Sequence, residues 1–123
     1  MPWDLKSDRP IYAQLIEQIE IKICSGIYPL GSKLPSVRDL AQEASVNPNT
    51  MQRALAMLEE NGLLYTSRTS GRFVTDDVNV VNQTKNRLAK EHAQVFLSKM
   101  TELGLDYEEI LSILAIVKEE LEK

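Results

Sequence analysis

Apolar residues recur every three to four positions near the start of the chain, a spacing typical of an amphipathic helix. The pattern covers residues 10–24, and Pro10 suits the first turn of such a helix. Gly26 suits the position just past its end, and residues 28–31 favour a turn. The sequence therefore predicts a first helix over residues 10–24. Its apolar stripe consists of Ile11, Leu15, Ile19 and Ile23.

Two further helical patterns follow, separated by only a few residues. Ser36 is placed to cap the second helix, which ends near Ala44. Asn47 is placed to cap the third helix, Pro48 suits its first turn, and Asn61 followed by glycine ends it. Two helices joined by so short a turn are the sequence signature of a helix-turn-helix.

Two short β-prone runs come next, at residues 63–66 and 72–75, around a loop that contains serine and glycine. This arrangement predicts a β-hairpin. Three helices followed by a hairpin are the element order of a winged helix. We therefore expect a winged helix-turn-helix domain over residues 1–76.

Beyond residue 76 the pattern is helical only. One long helix ends at Gly104, and Asp106 with Glu109 gives the capping signal of another, whose apolar spacing approaches a heptad repeat. Two antiparallel helices cannot bury both apolar stripes, whereas a second copy of the chain could cover them. We therefore expect residues 77–123 to form a helical dimerisation tail. Its interface residues are predicted to be Leu88, Val95, Phe96, Met100, Leu103, Ile110, Ile113, Leu114, Val117 and Leu121.

The predicted fold class is thus mainly α with a small β-wing: a winged helix-turn-helix followed by a two-helix C-terminal dimerisation hairpin. A length of 123 residues, 43% of them hydrophobic, suits two small folded units. The net charge is −4, yet residues 1–75 hold eight Lys and Arg against eight Asp and Glu, while residues 76–123 hold six against ten. Any contact with DNA must therefore come from the local placement of positive charge.

The sequence disfavours several classes of protein. Cys24 is the single cysteine and no N-terminal signal pattern is visible, which together indicate a reducing cytoplasm; its place on an apolar stripe favours a buried, inert thiol. No apolar run approaches the roughly 20 residues of a membrane-spanning helix. His92, the single histidine, has no clustered ligands, so we expect a surface or dimer-contact residue and no metal. No motif pairs a nucleophile with a base, and we therefore expect neither an enzyme nor a cofactor.

The exposed face of the third helix carries polar residues suited to reading base edges. The second helix of a helix-turn-helix pair lies in the major groove, and its N-terminal part contacts the bases. Asn and Gln side chains pair with adenine and Arg with guanine, and no acidic residue interrupts this face before Glu59. The candidates for DNA contact on this helix are Asn47, Asn49, Thr50, Gln52 and Arg53.

Positive charge also flanks this helix in the sequence. The start of the second helix offers free backbone N–H groups and a positive dipole end, which suit a DNA phosphate. A thin, cationic hairpin tip could enter or flank the minor groove, and glycine there permits a close approach of the backbone. The candidates at these two places are Lys33, Ser36, Arg38, Arg68, Gly71 and Arg72.

A plainer interpretation of these cations stays open, because a polar helix face is often merely solvated. Arg38 has Asp39 and Glu43 nearby in the sequence as partners for an ion pair. Arg53 has Glu60, or no partner at all. The argument for DNA binding rests on all three positive sites falling on elements that a winged helix presents to one side.

Residues 1–75 resemble the DNA-binding domain of the GntR family of transcription regulators. The Asn-Pro-Asn-Thr run and the short helical tail resemble its YtrA subfamily in particular. The motifs that carry the resemblance are Trp3, Arg9-Pro10-Ile11-Tyr12-x-Gln14, Gly26-x-Tyr28-x-x-Gly31-x-Lys33-Leu34-Pro35-Ser36-x-Arg38-x-Leu40-Ala41 and Val46-Asn47-Pro48-Asn49-Thr50-x-x-Arg53-Ala54.

This resemblance implies a homodimer that binds an inverted-repeat operator in double-stranded DNA and usually represses. The wing departs from the family pattern, because Thr69 stands where relatives commonly have glycine and Arg72 where they often have a small or hydroxylated residue. The tail is too short for the separate metabolite domain of larger relatives. The matching positions imply DNA-contact roles for Ser36, Arg38, Asn49, Thr50, Gln52, Arg53 and Gly71.

Two alternatives stay open at this point. A winged helix can serve as a protein-interaction module without DNA, since a fold does not determine a function, and the near-neutral charge of residues 1–75 leaves room for this. A regulator of this kind can also sense a small molecule, and an unidentified effector would then bind at the dimer interface.

Overall fold

The computed structural model describes residues 3–123 of the chain. It confirms the predicted fold class of helices with a small antiparallel hairpin. The chain divides into two compact units, and the boundary lies within the fourth helix, between residues 86 and 87. The functional boundary expected between residues 76 and 77 stays a prediction. The elements are α1 (Ile11–Cys24), α2 (Val37–Ala44), α3 (Pro48–Glu60), β1 (Leu64–Ser67), β2 (Gly71–Val74), α4 (Val78–Glu102) and α5 (Tyr107–Leu121).

Side-chain caps begin the helices of the helix-turn-helix where the sequence places them. The Ser36 hydroxyl accepts a hydrogen bond from the Asp39 backbone N–H at 3.1 Å, and the Asn47 side chain accepts one from the Asn49 N–H at 2.7 Å. Each cap satisfies a donor that the first turn leaves without a partner. Pro10 differs slightly from expectation: it precedes α1 with an extended ψ of 134° instead of lying in the first turn.

The turn between α2 and α3 depends on one unusual backbone conformation. Ser45 adopts a left-handed conformation with φ 57° and ψ 46°, and within residues 3–123 it alone among non-glycine residues has a positive φ. The Val46 N–H then donates to the Ala41 carbonyl at 3.0 Å, which closes the end of α2. This tight reversal sets the direction in which α3 leaves.

The core of the first unit forms around α3. This helix packs against α1, α2 and β1. Leu15 and Ile19 of α1 are fully buried in the same cluster, so the predicted stripe of the first helix is confirmed. The inner face of α3, also as predicted, consists of the buried residues Met51, Ala54, Leu55 and Leu58.

The hairpin gains a third segment that the sequence pattern does not reveal. β1 and β2 pair in antiparallel register, with Leu64 opposite Val74. Lys33 forms an isolated β-bridge with Phe73 on the other side of β2. The Leu34 N–H donates to the Arg72 carbonyl at 2.9 Å, and the Val74 N–H donates to the Ser32 carbonyl at 2.9 Å. The segment before α2 therefore fixes the wing from a second side.

The residues that precede α1 lie along it, held by two side-chain amides. Gln14 accepts from the Lys6 N–H and donates to the Lys6 carbonyl, both at 2.6 Å, and its amide also lies 3.0 Å from the Arg9 carbonyl. One turn further, Gln18 makes the same double contact with the backbone of Asp4, at 3.2 Å and 2.6 Å. We call residues 4–9 the N-terminal arm.

The second unit consists of α4 from residue 87 onward and the whole of α5. Asp106 and Glu109 form a reciprocal capping box at the start of α5, as the sequence predicts. Leu88 and Ile110 are already buried in the single chain. The other apolar residues predicted at a dimer interface keep access to solvent, with Val117 41% and Leu121 81% exposed.

Truncation of the α3 stripe tests the core. Leu58 is fully buried, so Leu58→Ala should lower the free energy of unfolding by about 2–5 kcal/mol. Met57, its neighbour on the same helix, is 39% exposed, and Met57→Ala should cost about 0.5 kcal/mol or less. Urea titration measures both. Equal losses would contradict the inner and outer faces assigned to α3.

Candidate nucleic-acid interface

The outer face of α3 presents most of its sequence-predicted residues to solvent. Asn49, Gln52 and Arg53 are exposed, and Thr50 is half-buried. Asn47 is exposed too, but its side-chain oxygen is occupied as the helix cap. Its first role is therefore to begin α3, and the remaining hydrogen-bonding groups of this face are its own side-chain amide NH2 and those of the residues that follow.

Arg53 stacks on an aromatic ring of another helix. Its guanidinium carbon lies 3.7 Å from the centroid of the Tyr12 ring, at the start of α1. Within residues 3–123 no ion pair joins Arg53 to Glu60, the partner that its place in the sequence suggests. The guanidinium N–H groups are therefore not occupied by a carboxylate.

The start of α2 also gathers sequence-predicted residues. Arg38 is exposed, and across the described chain no ion pair joins it to Asp39 or Glu43. Ser36 serves as the N-cap, so its hydroxyl oxygen already accepts one hydrogen bond. A cleft of about 460 Å³ lies beside Arg38 and reaches Pro48 at the start of α3. A second cleft of about 550 Å³ runs from Ser36 to the wing.

Arg72 lies under the wing and not at its tip. Its Nε is 2.6 Å from a carboxylate oxygen of Glu59, near the end of α3, and its side chain is only 16% exposed. The Thr66 hydroxyl donates to the same oxygen. These two contacts join both strands of the hairpin to α3. Arg68 remains the exposed cation of the hairpin loop.

The same contacts set the charge of Glu59. The hydrogen bond from Thr66, and after it the one from Arg72, lower the pKa of Glu59 below its usual range. Both partners stabilise the ionised carboxylate. Glu59 therefore carries a negative charge near the wing, and the Arg72 guanidinium compensates it.

Gly71 allows a lysine to cross the wing. Its φ of 103° is one that side-chain-bearing residues rarely adopt. A Cβ at this position would also lie 3.1 Å from Cε of Lys33. The exposed Lys33 therefore lies against Gly71 at the loop end of β2, which brings its ammonium group close to the hairpin loop.

Other candidate residues join no site. His92 is exposed, and residues 3–123 contain no group of three potential metal ligands. Cys24 is half-buried, with its sulfur 3.9 Å from the Val81 carbonyl oxygen. No helix in this described range combines the length and the apolar character that crossing a bilayer requires.

Comparison with known proteins identifies this arrangement. The model of a family described as "Bacterial regulatory proteins, gntR family" matches residues 11–74. The chain belongs to this family. Its members are transcription regulators, and the matched region includes α1 to β2, the whole of the winged helix.

Relatives of similar length support the family and the subfamily. The chain is 39% identical to "Uncharacterized HTH-type transcriptional regulator YhcF" of Bacillus subtilis, over 86% of this chain and 88% of that protein. It is 32% identical to "HTH-type transcriptional repressor YtrA" of the same organism, over 87% of this chain and 83% of that protein. This GntR-family chain is therefore of the YtrA-like type.

Solved structures share the fold. A GntR family transcriptional regulator from Listeria monocytogenes is 40% identical, with a TM-score of 0.84 over 90% of this chain and 97% of that one. The AraR DNA-binding domain, solved in complex with operator ORE1, is 32% identical, with a TM-score of 0.52 over 61% of this chain and 94% of that one.

Tyr12 and Glu59 are the residues of this region that sequence reasoning missed. Each contacts its partner, Arg53 or Arg72, across a long sequence separation. Helical periodicity relates residues three or four positions apart, so it carries no signal for such pairs. The tyrosine of the Arg9-Pro10-Ile11-Tyr12 motif is the nearest indication that the sequence offered.

The wing contact should depend on pH. A carboxyl whose pKa is lowered by folding contributes stability above its unfolded pKa, about 4.3 for glutamate, and loses it as the pH falls through the folded value. Glu59→Gln should therefore cost about 1 kcal/mol at neutral pH, and this difference from the wild type should vanish in acid. Thermal unfolding from neutral pH to about pH 3 measures it.

Glu60→Gln is the matched control for this measurement. Glu60 is the next residue, it is exposed, and the part of the chain that the structure describes shows no ion pair for it. The substitution should leave the unfolding temperature unchanged at neutral pH. A pH-independent cost of Glu59→Gln would contradict the electrostatic account of the wing contact.

Proposed function

We propose that this GntR-family regulator is a repressor that binds an inverted-repeat operator in double-stranded DNA as a homodimer, in the cytoplasm. The observation that carries the proposal is the fixed attachment of α2, α3 and the wing to one another. The Glu59–Arg72 pair joins the wing to α3, and the Lys33–Phe73 bridge joins it to the segment before α2. Elements held in this way can engage one DNA duplex together.

In this proposal the outer face of α3 enters the major groove. Asn49 and Gln52 offer amides suited to adenine, and Arg53 offers a guanidinium suited to guanine. Thr50 supports the contact from its half-buried place, and Asn47 does so chiefly by capping the helix. The face combines neutral amides with one cation, which suits base reading more than simple attraction to phosphates.

The DNA backbone would be held on either side of this helix. Lys33, Arg38 and the capped start of α2 offer positive charge and backbone N–H groups to phosphates. Arg68 and Gly71 would follow the minor groove from the wing. Arg72 has a different role from the one its sequence position suggests: it holds the wing against α3 through Glu59.

The comparisons support these roles by similarity. A related domain, AraR, has been solved bound to its operator, and the YtrA relative is named as a repressor. We transfer operator binding and repression to this chain as a proposal.

A homodimer would place two α3 helices on one palindromic site, about 34 Å apart. Val95, Leu114 and Val117 leave apolar surface open in the isolated chain, and burying it against a second tail would be favourable. A small-molecule effector, if one acts on this protein, would bind between two tails, because a single tail has little volume for a pocket.

Selection from random-sequence duplexes with the purified protein tests DNA reading. We expect a palindromic consensus that binds more weakly as salt rises. Arg53→Ala should weaken binding to this selected duplex by about 1–3 kcal/mol. Lys85→Ala removes an exposed cation outside the proposed interface and should change binding little. Recovery of no preferred sequence would contradict operator binding and favour a protein-interaction module.

Sedimentation at micromolar protein concentration tests the dimer. The wild type should sediment as a dimer, whereas Val117→Glu should shift it towards the monomer, because a charge would enter an apolar interface. Ser112→Glu adds the same charge on α5 outside the predicted apolar stripe and should leave the dimer intact. A monomeric wild type would contradict the role given to the tail.

A further inference from the structure

Two cations, Lys22 and Arg53, lie against aromatic rings in contacts that involve α1, and the two differ in their exposure to solvent. Near its C-terminal end, the Lys22 ammonium lies 3.6 Å from the Trp3 ring centroid and 5.6 Å from that of Tyr28. Lys22 is only 4% exposed. At the other end, Arg53 of α3 stacks on Tyr12 at 3.7 Å and remains exposed. The first contact encloses its cation, whereas the second leaves its cation accessible.

We propose that Tyr12 is a positioning residue for DNA reading: its ring holds the Arg53 guanidinium in the orientation that reads a base and so contributes to sequence specificity. This inference rests on the proposed function. It adds a residue of α1 to a surface that the sequence assigned to α2, α3 and the wing.

The chemistry of the stack suits this role. A guanidinium is planar, so a ring beneath it occupies one face and leaves the N–H donors around the edge free. A carboxylate partner would instead occupy two of those donors. The structure shows no ion pair for Arg53 within residues 3–123. The stack therefore restricts a flexible side chain while the edge that pairs with guanine stays available.

The helix that carries the ring is anchored in the core. Tyr12 precedes Leu15 and Ile19 on one stripe of α1, and both of these are fully buried in the core that α1 shares with α3. Gln14, 2% exposed, fixes the chain just before the helix through the carbonyls of Lys6 and Arg9. Because this packing fixes the position of α1, the ring can restrict Arg53 before DNA arrives, and less conformational freedom is lost on binding.

The test compares Tyr12→Leu, Tyr12→Phe, Arg53→Ala and the Tyr12→Leu/Arg53→Ala double variant in the full-length chain. The probes are the duplex selected by the wild type, the same duplex with the guanine sensitive to Arg53→Ala replaced by adenine, and a random-sequence duplex. Tyr28→Leu is the matched control, because it removes another ring near a cation, outside the proposed interface. Thermal unfolding of each variant sets an assay temperature at which all are folded.

We expect Tyr12→Leu to weaken binding to the selected duplex about two- to fivefold and the random-sequence duplex less. Discrimination between guanine and adenine should fall with it. Tyr12→Phe keeps the ring and should restore most of the loss. In the Arg53→Ala background, Tyr12→Leu should cause no further change, because the two residues act through one contact.

The outcomes separate this inference from the proposed function. If the wild type selects no preferred duplex, sequence-specific binding fails and the inference fails with it. If a preferred duplex exists and Arg53→Ala binds it like the wild type, Arg53 reads no base and the inference is overturned. It is also overturned, with the proposed function intact, if Tyr12→Leu binds and discriminates like the wild type. The inference is overturned in the same way if Tyr12→Leu weakens binding equally in the Arg53→Ala background. It is also overturned if Tyr28→Leu weakens binding to the selected duplex as much as Tyr12→Leu does.

Discussion

The packing of α1 against α3 is the contact on which the rest of the first unit depends. Leu15 and Ile19 meet a face of α3 that is buried along its length, including Met51 and Leu58. A helix buried along one stripe cannot rotate about its axis without exposing apolar surface. The core therefore fixes the direction in which the outer face of α3 points, and a base-reading surface needs this property before any particular side chain matters.

The fold of the winged helix decides which of its charges are paired inside the domain and which are exposed, and the composition does not show this difference. Glu59 places a carboxylate at the end of α3, beside a surface proposed to face phosphates, and Arg72 and Thr66 both bind it. One of the eight cations of residues 1–75 is used inside the domain in this way. A count of charges misses this distinction, because it weighs a cation paired under the wing equally with an exposed one such as Arg38.

Local features of the fold followed from the sequence, and contacts between distant residues did not. The caps at Ser36, Asn47 and Asp106 involve residues two or three positions apart, so their spacing alone predicts them. The pairing of Lys33 with Phe73 joins segments whose approach depends on the whole core. For the same reason, sequence position suggests Glu60 as a partner of Arg53, whereas the structure places the Tyr12 ring of α1 beside Arg53.

The N-terminal arm is held against α1 through hydrogen bonds to its backbone peptide groups. Gln14 and Gln18 each present an amide that bonds to both the N–H and the carbonyl of one arm residue, Lys6 or Asp4. Every non-proline residue offers the same two groups. The side chains at these two arm positions are therefore free to diverge between related proteins, while the number of residues between them is not. Insertions and deletions in this stretch should be rarer than substitutions, since a change in length would move a different peptide group in front of each amide.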